Sequence, residues 1–112
     1  MKSDCIFCKI ASGGTATKLV LETQTVAAFH DINPAAPVHI LIVPKKHIRS
    51  LNDVTEEDSA ILSDLLFAAK QVAEKTGINE SGYQVFFNVE QGGGQLVFHL
   101  HMHVMGGWSK NG

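Results

Sequence analysis

Long hydrophobic runs, internal repeats, low-complexity tracts and a strong excess of either charge are all missing from this 112-residue chain. No segment approaches the roughly 18 consecutive apolar residues of a membrane-crossing helix. Met1-Lys2-Ser3-Asp4-Cys5 leads into no apolar signal region. Membrane association is therefore not expected. Nine Lys plus Arg stand against eleven Asp plus Glu, a formal net charge of -2. That balance supplies no general basic field, so nucleic-acid binding through phosphate neutralisation is not expected. Cysteine is confined to Cys5 and Cys8. For a cytoplasmic protein, which is the default here, both stay reduced, as a redox pair or as ligands to a shared metal. What is present is 45% hydrophobic and 18% charged residues. That mixture excludes a disordered or collagen-like chain, and the length fits one domain over residues 1–112.

The pattern along the chain predicts an α+β domain with about five strands, mainly antiparallel, one long helix and one short one. Asp4 is placed to cap a short helix over Cys5 to Ala11 that stops at Ser12-Gly13-Gly14. Cys5 and Cys8 then share a helix face and can point at one ion, whereas a disulfide between them would strain the backbone. Lys18 to Glu22 and Val26 to His30 read as strands around a turn at Thr23-Gln24. A loop from Asp31 to Pro37 is held extended by its two prolines. Val38 to Val43, apolar except for His39, reads as a buried central strand closed by Pro44. The long helix is expected over Thr55 to Thr76, with Thr55 and Asp58 as a capping box and Gly77 as its stop. Its apolar stripe is Ile61, Leu62, Leu65, Leu66, Ala69, Val72 and Ala73. Tyr83 to Val89 and Val97 to Met105 read as strands joined by the glycine-rich loop Gln91-Gly92-Gly93-Gly94.

The chemistry is concentrated in His99-Leu100-His101-Met102-His103. On a strand, alternate side chains face the same way, so three imidazoles would line one face about 6.5 to 7 Å apart. Phe98, Leu100, Met102 and Val104 would fill the other face and fix the register. One histidine on a strand is ordinary, but three in alternation pack poorly and cost desolvation unless something uses them. Two uses compete: ligation of a transition metal, or an anion site doing nucleophilic chemistry at phosphorus. The glycine run directly before the strand favours the second, because its backbone can approach a ligand and aim N–H groups at it.

The segment from Gly93 to Gly107 resembles the His-φ-His-φ-His-φφ motif of the histidine triad (HIT) superfamily, where φ is apolar. Phe29 to Pro34, and Ala36 to Ile48 with its Pro44-Lys45-Lys46-His47 connector, resemble the Hint branch. Cys5-Ile6-Phe7-Cys8-Lys9-Ile10 is similar to the bacterial members. The resemblance runs from Asp4 to Gly107 and implies a HIT-like fold. It implies a purine nucleoside phosphoramidase that binds AMP or GMP and cleaves their P–N bond to an amine through a nucleotidyl-histidine. On that pattern His101 is the nucleophile, His103 contacts the phosphate and His39 joins them from the facing strand. His30 and Ile32 match walls of a purine pocket, Asp31 the ribose-binding carboxylate, Asn88 a polar contact to phosphate or leaving group, and Gly94 a backbone donor. The resemblance further implies a structural zinc on Cys5, Cys8, His47 and His99, no cofactor for catalysis, and a homodimer built through the long helix and the strand holding Tyr83 to Val89.

Neighbouring branches differ at identifiable residues. The nucleotidyl transferases lack the third histidine, present here as His103, and Fhit-like dinucleoside polyphosphate hydrolases usually carry Gln where this chain has Asn88. The alternative to an enzyme is a nucleotide sensor acting through partners. The chain departs from the Hint pattern at Leu96, where a hydroxyl or longer polar side chain is frequent, and at Trp108, where a basic residue is common. It then ends at Ser109-Lys110-Asn111-Gly112, where relatives often carry a longer tail.

Overall fold

The computed structural model describes residues 4–108. The expectations that fall on Met1 to Ser3 and on Ser109 to Gly112 lie outside the described residues. Seven regular elements follow in chain order: α1 (Ile6–Ala11), β1 (Leu19–Glu22), β2 (Val26–His30), β3 (Val38–Pro44), α2 (Ser59–Thr76), β4 (Tyr83–Phe86) and β5 (Met102–Gly106). The strands form one sheet in the order β1-β2-β3-β5-β4. Every pairing is antiparallel. This is the α+β architecture that the sequence pattern predicts.

Side-chain alternation on the central strands divides the interior in two. Ile40 and Ile42 of β3, Val26 and Ala28 of β2, and Met102 and Val104 of β5 point to one side and pack on Leu65, Ala69, Val72 and Ala73 of α2. Leu41, Val43, Ala27 and Phe29 point the other way, onto Phe7, Ile10 and Ala11 of α1. Because α1 is only six residues long, it covers part of that second face. His39 and His103, which share the face by register with Leu41, lie beyond its reach.

Several details differ from the expectation. Cys5, not Asp4, is the N-cap of α1, its Sγ accepting the Cys8 N–H at 3.4 Å. The Thr55–Asp58 capping box forms, with the Thr55 N–H donating to Asp58 Oδ2 at 3.0 Å, but one 3₁₀ turn over Glu56–Asp58 precedes α2. Gly77 closes α2 in the left-handed region, at φ 79°. Leu66 is 60% exposed and does not join the buried stripe, while the unselected Ala68 does. β4 ends at Phe86, three residues short of Val89.

The largest difference is in the histidine segment. β5 begins at Met102, so residues 97–101 lie outside the ladder. The backbone there pairs with the connector after β3 instead, the Leu100 N–H donating to the Ile48 carbonyl at 2.6 Å. Phe98 is not in the core. It is 37% exposed and lies under the Arg49 guanidinium, 4.3 Å from its ring centre. The inward–outward alternation nevertheless survives: Leu100, Met102 and Val104 sit in the α2-side core.

Candidate active site

On the face that α1 leaves open is a cavity of about 300 Å³. His101 and His103 form its floor, with Phe7, Phe29 and Leu41 as an apolar wall. His30, Asp31 and Ile32 come from the end of β2 and the proline loop, and Asn88, Gly94, Leu96 and Val97 from the turn before the histidines. All seven residues selected for nucleotide contact therefore meet at one cavity. His39 stands behind it, buried, with its Nε2 2.9 Å from His103 Nδ1.

Backbone partners determine which nitrogen of each ring carries its proton. The Ala35 N–H donates to His39 Nδ1 at 3.0 Å, so in neutral His39 the proton is on Nε2, which donates to His103 Nδ1. The His103 proton is then on Nε2. That atom is the one buried side-chain nitrogen or oxygen among the described residues without a partner. His101 Nδ1 donates to the His99 carbonyl at 2.8 Å, which leaves its Nε2 with a free lone pair. His99 Nε2 donates to the Pro44 carbonyl at 2.8 Å, which leaves the lone pair on its Nδ1, facing the two cysteine sulfurs.

Burial keeps the rings of His99, His101 and His103 neutral. It lowers the pKa of His103 to about 4, assisted by the neighbouring His101 and His39 and opposed by Asp31. Burial likewise lowers His99 to about 4, against the hydrogen bond to Pro44. His101 is lowered by burial, with its bond to the His99 carbonyl and the nearby Asp31 acting in the opposite sense. A neutral imidazole with an exposed lone pair is a nucleophile at pH 7. A buried N–H with no partner is a donor waiting for an anion.

The ring spacing departs from the regular-strand expectation. His101 and His103 centres are 5.0 Å apart and tilted by 55°, since only His103 lies in the ladder. Phe86 stacks parallel on His103 at 4.7 Å, and Phe7 meets His101 edge-on at 5.1 Å, so both rings are held by aromatic contact.

The glycine turn also differs. Gln91–Gly93 form a 3₁₀ turn, and Gly94 follows at φ 87°. The Gly94 N–H donates to the Gln91 carbonyl at 3.0 Å, and those of Gly93 and Gln95 donate to the Glu90 carbonyl. These amides are bonded within the turn and do not form the open anion nest anticipated from the glycine run.

Histidine 99 turns away from the cavity to a second cluster. Cys5 Sγ and Cys8 Sγ each lie 3.4 Å from His99 Nδ1, and Cys8 Sγ lies 3.2 Å from His47 Nδ1. All four ligand atoms fall within 4.8 Å of one another. A tetrahedron with metal–sulfur bonds of about 2.3 Å and metal–nitrogen bonds of about 2.0 Å has sulfur–nitrogen edges of roughly 3.5 Å, so the spacing fits one zinc-sized ion. The donor chemistry fits as well: two thiols, and a histidine whose other nitrogen is oriented by a backbone carbonyl. Asp31, His39 and His103 form another close group. There the Ala35 N–H occupies His39 Nδ1 and keeps the proton on Nε2, the nitrogen a metal would need, so this group is poorly suited to an ion.

The HIT domain family model matches residues 13–110. The chain belongs to the HIT domain family. Among curated HIT relatives, it is 41% identical over 107 residues to the purine nucleoside phosphoramidase of Escherichia coli K12, covering 96% of this chain and 90% of that one. It is 41% identical over 103 residues to protein HitA of Neisseria gonorrhoeae, covering 92% and 95%. Among solved structures, a HIT family hydrolase from Legionella pneumophila superposes with a TM-score of 0.91 at 48% identity, covering 95% of both chains. A histidine triad protein from Clostridium difficile superposes at 0.93 with 42% identity, covering 97% and 95%. These neighbours have the same HIT fold at close range.

Sequence reasoning missed the groups that set the state of the HIT histidines: the carbonyls of His99 and Pro44, the Ala35 amide and the Phe86 ring. Three of the four are backbone atoms, which leave no compositional trace. Phe86 carried a signal, since adjacent Phe86 and Phe87 on a strand must face opposite sides. Phe87 packs in the α2-side core while Phe86 stacks on His103.

Proposed function

We propose that this HIT protein hydrolyses the P–N bond of purine nucleoside 5′-phosphoramidates through a covalent intermediate on His101. The observation that carries the reading is the protonation pattern at the cavity floor. His101 has its proton tied to the His99 carbonyl and its Nε2 free, beside the unpaired Nε2–H of His103. The relationship to the Escherichia coli phosphoramidase supports the same substrate class.

In the first step the His101 Nε2 lone pair attacks phosphorus and the P–N bond breaks. The amine takes up a proton from solvent as it leaves, to be returned when the second step releases one, and a nucleotidyl-imidazole remains. The His103 N–H stabilises the phosphate oxygen that gathers charge, and His39 holds that ring in the donating tautomer. Water then attacks the phosphorus and releases a proton and the nucleoside monophosphate, restoring neutral His101. Asp31 is the ribose contact: its Oδ1 accepts the Asn33 N–H at 2.9 Å, and it keeps acceptor capacity for a diol. His30 and Ile32 flank the base, and Asn88 and Gly94 stand at the phosphate end.

Cys5, Cys8, His47 and His99 are assigned to a structural Zn²⁺, which would tie α1 to the connector and the start of the histidine segment. No metal is required for the chemistry. Exposed Leu66 and Phe67 on α2 and Val85 on edge strand β4 support a homodimer. A cytoplasmic setting is assigned as well, in which thiols stay reduced and able to ligate a metal. Among the described residues no helix is long and apolar enough to cross a membrane. With a net charge of -2, nucleotides rather than nucleic acid are the partners. The whole chain, 1–112, is assigned to one HIT domain.

The test is turnover of a fluorogenic tryptamine phosphoramidate of AMP by the parent and by His101→Ala. Turnover should fall by roughly 10³-fold or more while AMP binding survives. A variant as active as the parent would remove the nucleophile, and AMP binding without turnover in the parent would identify a sensor.

A further inference from the structure

We infer that Glu90 is a positioning residue for the turn over the cavity, held in a backbone conformation normally reserved for glycine by a carboxylate clamp from Arg49 and Ser50. The inference rests on the hydrolytic reading above. Among the described residues Glu90 is the only non-glycine with a positive φ, at φ 60° and ψ 176°. Side chains other than glycine rarely occupy that region unless their surroundings hold them there.

The surroundings here are specific. Arg49 Nε donates to both Glu90 carboxylate oxygens at 3.2 Å, Arg49 Nη2 donates to Oε1 at 3.0 Å, and the Ser50 hydroxyl donates to Oε2 at 2.6 Å. The guanidinium, and after it the hydroxyl, hold the carboxyl below its ordinary value, so it stays ionised near neutrality. The Glu90 backbone is used as fully. Its N–H donates to Gln95 Oε1 at 2.7 Å, and its carbonyl accepts the N–H groups of Gly93 and Gln95. Gln95 Nε2 in turn donates to the Arg49 carbonyl at 2.8 Å and the Val97 carbonyl at 3.0 Å.

One residue therefore ties both ends of the glycine turn to the connector after β3. That connector also receives the Leu100 N–H and carries His47. Asn88 and Gly94, which line the same cavity as His101 and His103, lie on either side of Glu90 in the chain. Their distance from the nucleophile is set by Glu90. A glycine at position 90 would accept the backbone angles freely but could not hold the connector.

That last point separates positioning from simple stability. The experiment compares parent, Glu90→Gly, Arg49→Met and the double variant. It measures kcat and KM for the AMP phosphoramidate, the thermal midpoint, and amide exchange at Gly93 and Gln95 by NMR. Glu90→Gly should keep the parent's midpoint, because relief of the backbone offsets the lost clamp. Its kcat should nonetheless fall about tenfold or more, with KM within about threefold. Exchange at Gly93 and Gln95 should quicken about tenfold or more in each single variant, and the double variant should be no worse than either. A kcat in Glu90→Gly within about twofold of the parent would overturn the positioning role. Unchanged exchange would overturn the clamp. A parent without turnover would sink the assigned reaction instead, and the exchange measurement would still decide whether the clamp holds the turn.

Discussion

Acidification from pH 7 to pH 5 should destabilise the fold through His103. An unfolded histidine titrates near 6.5, whereas burial lowers His103 to about 4. The geometry gives an independent reason. His103 Nε2 already carries a proton, so a second must go to Nδ1, where it displaces the bond from His39. The folded ring thus stays neutral while the unfolded ring charges, and the unfolded chain binds more protons between these two values. Stability contributed by the neutral ring is present above about pH 6.5 and is lost as pH falls toward 4. Integrated from pH 7 to pH 5, this one ring accounts for about 2 kcal/mol. Asp58 and Glu90, whose pKa values are lowered by ion pairs with Lys46 and Arg49, lose their contributions only at more acidic pH. Urea unfolding of parent and His103→Asn at both pH values isolates the effect, since every other titrating group is common to the two. The parent should lose about 2 kcal/mol more than the variant, and the His103 ring should titrate near 4 by NMR. Equal losses, or a ring titrating near 6.5, would refute the reasoning.

Two further outcomes follow from the packing and the sulfur cluster. Gly106→Ala should cost roughly 1–3 kcal/mol in chemical denaturation. Its Cβ would stand 2.9 Å from Ile78 Cδ1 and 3.2 Å from Tyr83 Cβ, and a loss near zero would mean that the β4–β5 end can yield. Purified without chelators, the protein should carry close to one zinc per chain. Cys8→Ser should lower that content, and stripping the metal should reduce stability by an amount on the order of several kcal/mol. Zinc content near zero in the parent would dismiss the four-ligand assignment.

How much was legible in the sequence differs from element to element. β2 has the predicted limits and α2 the predicted end, because alternation, helical spacing and Gly77 are local signals. The early end of β4 and the late start of β5 were not legible. Residues 97–101 have a strand-like composition, but the Ile48 carbonyl of the connector takes the Leu100 N–H, and that competition exists only in three dimensions. Phe98 left the core for the same reason, since Arg49 offered it a cationic partner at the surface. Leu66 matched the helical stripe, yet neither sheet nor helix covers that side of α2 among the described residues.

The sequence by itself determined which side chains could meet. The period of two through Leu100, Met102 and Val104 commits His101 and His103 to the opposite face, because the apolar set can be buried in one register only. Tertiary structure alone decided what those rings can do. The Pro44 carbonyl, the His99 carbonyl and the Ala35 amide fix which nitrogen carries the proton in His99, in His101 and, through His39, in His103. An imidazole's two nitrogens are chemically alike until a partner binds one of them. For His99 and for the His39–His103 pair, that partner lies dozens of residues away and is brought close only when the sheet has closed.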